Sequence, residues 1–276
     1  MGTSASNKGP NSGVPFDPPW LDDIVEPLND EPDENQDNED PEQNSVERRP
    51  TIAPEKRFKL ARTHLGQFIR TGERESLRKA IGYYSREGMG GSINVATRMR
   101  LSTRTATSLF GLLHSARDGN DLSINQWISS LSTTNASTDD IVNEIVNKVA
   151  PNGGSIDETS CRQSMAQAIN ELLERNAYID LFNLSNEDIW DLVEAFLGYE
   201  ALSRICLDIG QAFELSMLSS RDKVIRINQM QDYLKAEISV QINRLRNMET
   251  NSSPQQLNRI LHGALKNTFD VFEGSI

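Results

Sequence analysis

From residue 58 onward the apolar residues recur at intervals of three and four, the spacing that lines one face of an α-helix. Phe58, Ala61, Leu65, Phe68 and Ile69 form the first stripe, and Gly72 ends it. Leu77, Ala80, Ile81 and Tyr84 predict a second short helix, stopped at Gly88. The loop Gly88-Met-Gly-Gly-Ser92 leads into a short helix over 93–99. A further helix from Ser102 carries Ala106, Leu109, Phe110 and Leu113 on one face. Residues 121–131 predict a short helix that packs Ile124, Trp127, Ile128 and Leu131.

Beyond a Ser/Thr/Asn loop at 132–138, the helix starts are written in capping residues. Ser137-x-x-Asp140, Ser155-x-x-Glu158, Ser185-x-x-Asp188 and Ser219-x-x-Asp222 each place a hydroxyl three residues before an acid. In that pair each side chain satisfies a backbone N–H that the first turn leaves open. Ser253-Pro254 adds an N-cap followed by proline at the first helical position. No period-2 run exceeds four residues, and no Asn-Gly or Asp-Gly turn joins two apolar runs. The pattern therefore predicts an all-α body of about nine helices.

Residues 1–20 follow neither period. Rich in Pro, Gly and Ser, they read as a flexible leader closed by Phe16, Pro18, Pro19 and Trp20. Residues 21–55 read as a disordered acidic linker, broken by Pro27, Pro32 and Pro41, with too little apolar surface to fold alone.

Charge sharpens the division. Of the net −12, residues 1–47 carry thirteen acids against one base (−12), residues 48–104 fourteen bases against four acids (+10), and residues 105–276 thirteen bases against twenty-three acids (−10). The body thus divides into a basic helical unit, 56–131, and an acidic helical bundle, 138–276. The basic band admits two readings. Arg86, Arg98, Arg100 and Arg104 form a patch for an anionic partner or nucleic acid, or the acidic linker lies over the band and masks it.

The chemistry-bearing residues exclude more than they propose. His64, His114 and His262 have no partner at metal-ligand spacing, so no metal site is expected. Cys161 and Cys206 lie far apart in helical patterns and read as buried free thiols. No catalytic residue stands out, and no cofactor bound by the chain itself is expected. The Gly88–Ser92 loop lacks the Lys-Ser/Thr of a P-loop and the preceding strand of a dinucleotide motif, which makes it a turn between helices. No apolar run reaches the length of a membrane span, and no secretory apolar segment is present; these features and the free thiols fit the cytoplasm. Met-Gly-Thr-Ser-Ala-Ser also matches a myristoylation pattern, but the acidic segment after it would be repelled by anionic lipid, so no membrane partner is expected.

Gly2 has a more productive reading. Once Met1 is trimmed, its α-amine has a pKa of about 7.7–8.0, so a useful fraction is neutral and nucleophilic near neutral pH, whereas lysine amines at about 10.4 are not. Glycine also has no side chain to hinder attack on an activated carboxyl.

Met-Gly-Thr-Ser-x-Ser-x-x-Gly-Pro-x-x-Gly-Val-Pro, then Pro-Pro-Trp20 and an acidic linker, resembles the QatB family of bacterial Qat anti-phage systems. The agreement continues at Phe58, Arg62, Leu65, Gly66, Phe68 and Gly72, through Leu77–Tyr84 and Gly88-x-Gly-Gly-Ser92, and at Arg98-Met99 and Leu109-Phe110. It covers residues 1–113. The resemblance implies a non-enzymatic defence component that pairs with a QueC-like protein, QatC, beside an ATPase and a TatD-like nuclease. It implies that Gly2 becomes joined by an amide to a 7-deazaguanine, with Gly2, Thr3 and Ser4 in the partner's active site and Phe16, Pro18, Pro19 and Trp20 as a handle. The alternative is a scaffold that uses its basic helices to hold nucleic acid or a partner.

Overall fold

The computed structural model describes residues 53–150, 153–246 and 253–276. The leader, and the linker up to residue 52, lie outside them. The described residues form α-helices and connecting turns, with no strand among them. The helices are α1 (Lys59–Thr71), α2 (Arg74–Tyr83), α3 (Ser92–Arg98), α4 (Arg100–Asp118), α5 (Leu122–Thr133), α6 (Thr138–Val149), α7 (Ile156–Arg175), α8 (Asn186–Ile209), α9 (Gln211–Glu214), α10 (Ser220–Arg246) and α11 (Pro254–Glu273). The all-α prediction holds, with eleven helices where about nine were expected. One of them, α9, is a single turn, too short for any periodicity to announce.

The centre is α8. Its run Leu192–Gly198 is buried at every position, because helices cover it on several sides. α7, α10 and α4 pack around it. α1 and α2 form a hairpin whose turn is Gly72, in the left-handed region at φ 74°. The Gly72 N–H bonds Phe68 O at 2.7 Å, and Arg226 Nε of α10 donates to Ile69 O at 3.2 Å, so a second helix helps close the end of α1. α11 then lies against α2, α3, α4 and α10. One contiguous core runs from Phe58 to Phe272 and takes residues from both the basic and the acidic stretch.

The predicted starts are built as expected. Ser137/Asp140, Ser155/Glu158 and Ser185/Asp188 form reciprocal capping boxes, as does Ser253 with Gln256 ahead of Pro254 at the first turn. Ser219 accepts from the Asp222 N–H at 3.1 Å. Two segments depart from expectation. The second helix continues past Tyr83 as a π-helical turn, Tyr84–Gly88. α5 buries none of its residues fully; it holds to the body through Ile124 and through Trp127, whose ring meets Phe182 edge-on at 5.5 Å and lies under the Lys148 ammonium at 5.2 Å.

Candidate functional site

Gly2, Thr3, Ser4, Phe16, Pro18, Pro19 and Trp20 lie outside the described residues. Their attachment point is inside. Ala53 is buried, and Phe58 stacks on Tyr84 with ring centroids 5.8 Å apart and the Arg57 guanidinium 4.9 Å from its centroid. A Cβ on Gly88 would stand 2.5 Å from the Phe58 ring, so glycine there is what lets the start of α1 seat against the π-turn. The chain before residue 53 therefore departs from a fixed point beside α1.

The four arginines differ in exposure. Arg86 and Arg104 are exposed, while Arg98 and Arg100 are half-buried. Arg98 lies 3.9 Å from Met89 Sδ, and its charge acts on Tyr84 and Asp208. The charge of Arg100 acts instead on His262 of α11. The Gly88–Ser92 loop is a turn, as expected. Its Met89 and Gly91 N–H groups both donate to Ser85 O, at 3.2 and 2.9 Å, with φ of 80° at Gly90 and 115° at Gly91. Ser92 Oγ donates to the Asp270 carboxylate of α11.

The first acid of note, Asp208 of α8, is half-buried. Tyr84 donates its phenol O–H to Asp208 Oδ2 at 2.9 Å, and Arg62 donates to the Asp208 carbonyl at 3.0 Å. Burial raises the Asp208 pKa, while Arg98, the Tyr84 hydrogen bond, Arg57 and Arg204 pull it back. Burial, and then the Asp208 charge, push Tyr84 well above the ordinary phenol range. A carboxyl with a folded-state pKa above its unfolded value binds more protons when folded, so it costs stability as pH rises through that window. Asn cannot lose that proton. We expect the melting temperature of Asp208→Asn to gain on wild type as pH rises from about 4, the unfolded value, up to the folded pKa, and then to run parallel. Melts at pH 4 to 8 test this, and parallel curves throughout would count against it.

The second acid, Glu200 of α8, is fully buried. Ser102 of α4 donates to its Oε2 at 2.7 Å; Ser160 and Ser164 of α7 donate to its Oε1 at 2.6 and 2.9 Å. The Cys161 thiol lies 3.4 Å from Oε2. Burial, then the Glu200 charge, push that thiol up to about 12, and burial does the same to Cys206. Neither is a nucleophile at neutral pH. Arg204, one turn after Glu200, pairs with Asp157 at 2.5 Å. Both free thiols were expected; Cys161 is buried and Cys206 half-buried. Sequence reasoning missed Glu200. The available signal was its register: it continues the stripe Val193, Phe196, Leu197 at helical spacing.

Among the described residues no three His, Cys, Asp or Glu side chains are placed to hold a metal ion, and no helix is long and apolar enough to cross a membrane. Glu200 takes donors from its own chain on both carboxylate oxygens, and Asp208 takes the Tyr84 phenol on Oδ2. The described residues thus form an all-α helical body with polar side chains tied together in its core.

Residues 90–272 match the family model of the Qat anti-phage system associated protein QatB. The chain belongs to the QatB family and is a component of an anti-phage defence system. The match lies on the helical body and meets the motif-bearing stretch, 1–113, only at 90–113. No curated protein and no solved structure matches the chain.

Proposed function

We propose that this QatB-family chain presents its N-terminal leader as a protein substrate, and that a QueC-like partner, QatC, joins Gly2 to a 7-deazaguanine. In the step proposed, the partner transfers AMP from ATP to the carboxyl of the deazaguanine, releasing pyrophosphate. The neutral Gly2 amine attacks that carbonyl, AMP leaves, the nitrogen gives up a proton, and an amide remains. With Met1 removed, an α-amine of pKa about 7.7–8.0 is roughly a quarter to two-fifths neutral at pH 7.5, against about a thousandth of a lysine amine. The observation that carries the reading is the junction of this leader to a QatB-family body, through a tether whose end is fixed at Ala53. Thr3 and Ser4 enter the partner's active site behind Gly2, and Phe16–Trp20 is the handle.

Co-expression with the partner followed by intact-mass measurement tests this. The Met-trimmed chain is expected to gain one deazaguanine acyl group. A chain with Glu inserted between Met1 and Gly2 is expected to gain none and to lose phage protection in a plaque assay. Equal modification of that blocked chain would sink the proposal.

A further inference from the structure

One groove on the described surface has no occupant within the body. It holds about 660 Å³ and runs between α1 and the segment from α9 to the start of α10. Arg62 and Arg70 stand along one wall; Ala212, Leu215 and Met217 line the other. Leu215 is 77% exposed and Met217 fully exposed, although both are large and apolar. Gly66 lies in the middle of α1, on the same wall as the arginines. Glycine is a poor helix residue, and a Cβ there would meet nothing within 4 Å. No packing inside the body requires it, so the space in front of it is left open toward the groove.

We infer that, in the chain without its partner, this groove is the seat of the chain's own segment 14–28, which a partner taking Phe16–Trp20 as its handle must displace. Three observations select that occupant. The first is composition. Outside Met1, Val46 and Ile52, the large apolar residues of the first 52 positions are Val14, Phe16, Trp20, Leu21, Ile24, Val25 and Leu28, all within this stretch. Leu21, Ile24, Val25 and Leu28 fall at the i, i+3, i+4, i+7 spacing by which peptides fill apolar grooves. The second is charge. Asp22, Asp23 and Glu26 interrupt those residues, and the groove offers Arg62 and Arg70 beside its apolar wall. Arg62 keeps its bond to the Asp208 carbonyl while doing so. The third is reach. The chain enters the body at Ala53, six residues before α1, and twenty-five residues separate Leu28 from that point. A flexible chain of that length spans about 25–30 Å on average, and a thirteen-residue helix is only about 20 Å long.

Tethering makes a weak contact sufficient. Against an effective concentration of about 1 mM, a groove affinity of only ~0.1 mM keeps the segment seated about nine-tenths of the time. The seated segment shortens the free leader to its first thirteen residues and holds Gly2 near α1. This inference is independent of any chemistry at Gly2, and its test uses the full chain alone, with no partner present.

A photo-crosslinking residue is placed at Met217 in the full chain, and isotopically heavy and light chains are mixed in equal amounts. The expected product is a same-chain crosslink between position 217 and residues 14–28; the same probe at Tyr178, exposed and remote from the groove, gives none. Hydrogen exchange of the wild-type chain is expected to show roughly tenfold protection across 14–28. That protection should fall to none in Leu215→Asp/Met217→Asp, where both positions are exposed and the fold has no stake in them. Gly66→Phe, which fills the groove, should act alike. Heavy–light crosslinks would mean that a second copy sits there, and would overturn the inference. So would crosslinks to other parts of the chain, or wild-type exchange across 14–28 as fast as in the double variant.

Discussion

Glu200→Ala is expected to lower the unfolding free energy by about 3–5 kcal/mol, read as a large fall in the urea midpoint. The carboxylate accepts from Ser102, Ser160 and Ser164, and so ties α4 and α7 to α8. Removing it leaves three buried hydroxyls without their acceptor and a cavity in their midst. A hydrogen bond to a charged group contributes about 1.5–3 kcal/mol, and each orphaned buried donor costs about 1–3 kcal/mol. Glu200→Gln keeps an acceptor oxygen of the same shape and should cost distinctly less. Replacing the whole cluster is a different matter. Glu200→Met with all three serines changed to alanine removes donors and acceptor together, and is expected to recover most of the loss. If Glu200→Ala does not fold well enough to measure, the fourfold variant still tests the account. Should Glu200→Ala unfold at the wild-type midpoint, the network has no energetic role.

The second large effect comes from Gly82, where α2 crosses α11. A Cβ there would stand 2.5 Å from the Phe272 carbonyl oxygen and 3.1 Å from its carbon. Those are backbone atoms of α11, so no rotamer change relieves the contact; one helix must shift. Alanine gains about 1 kcal/mol of helix propensity over glycine, yet Gly82→Ala is expected to be destabilising by about 1–3 kcal/mol net, as overpacked cores are. Gly82→Val should cost more. Gly66→Ala supplies the matched comparison, since nothing stands within 4 Å of its Cβ; it is expected to stabilise by about 0.5–1 kcal/mol. Opposite signs in the two denaturation midpoints would confirm that the glycines serve different ends. The same sign at both would refute it.

Much of this fold was legible because helix starts carry local chemistry. Ser137, Ser155, Ser185, Ser219 and Ser253 each cap the helix that their spacing to the next acid, or to Pro254, announced. Gly72 could be read as a helix end because a left-handed residue there favours glycine. Other features had no such local signature. The π-helical turn at Tyr84–Gly88 depends on Phe58 seating against Gly88 and Ser85 bonding Glu273 at 2.5 Å, contacts made by residues distant in sequence. Glu200 went unread because its partners are serines, which carry no pattern, although its register with Val193, Phe196 and Leu197 pointed inward. The arginines read as one patch because they are close in sequence; the fold leaves Arg86 and Arg104 exposed and Arg98 and Arg100 half-buried, a difference that sequence spacing does not announce. Family membership was legible in the motifs of residues 1–113, while the family match itself rests mostly on the helical bundle that follows.

The position of α11 bears on the order of events during synthesis. The face of α2 that it covers, at Gly82, leaves the ribosome 190 residues before Phe272 does. At about 5–20 residues per second, that interval is roughly 10–40 s. Through it the apolar side of the first helices waits uncovered, a client for nascent-chain chaperones.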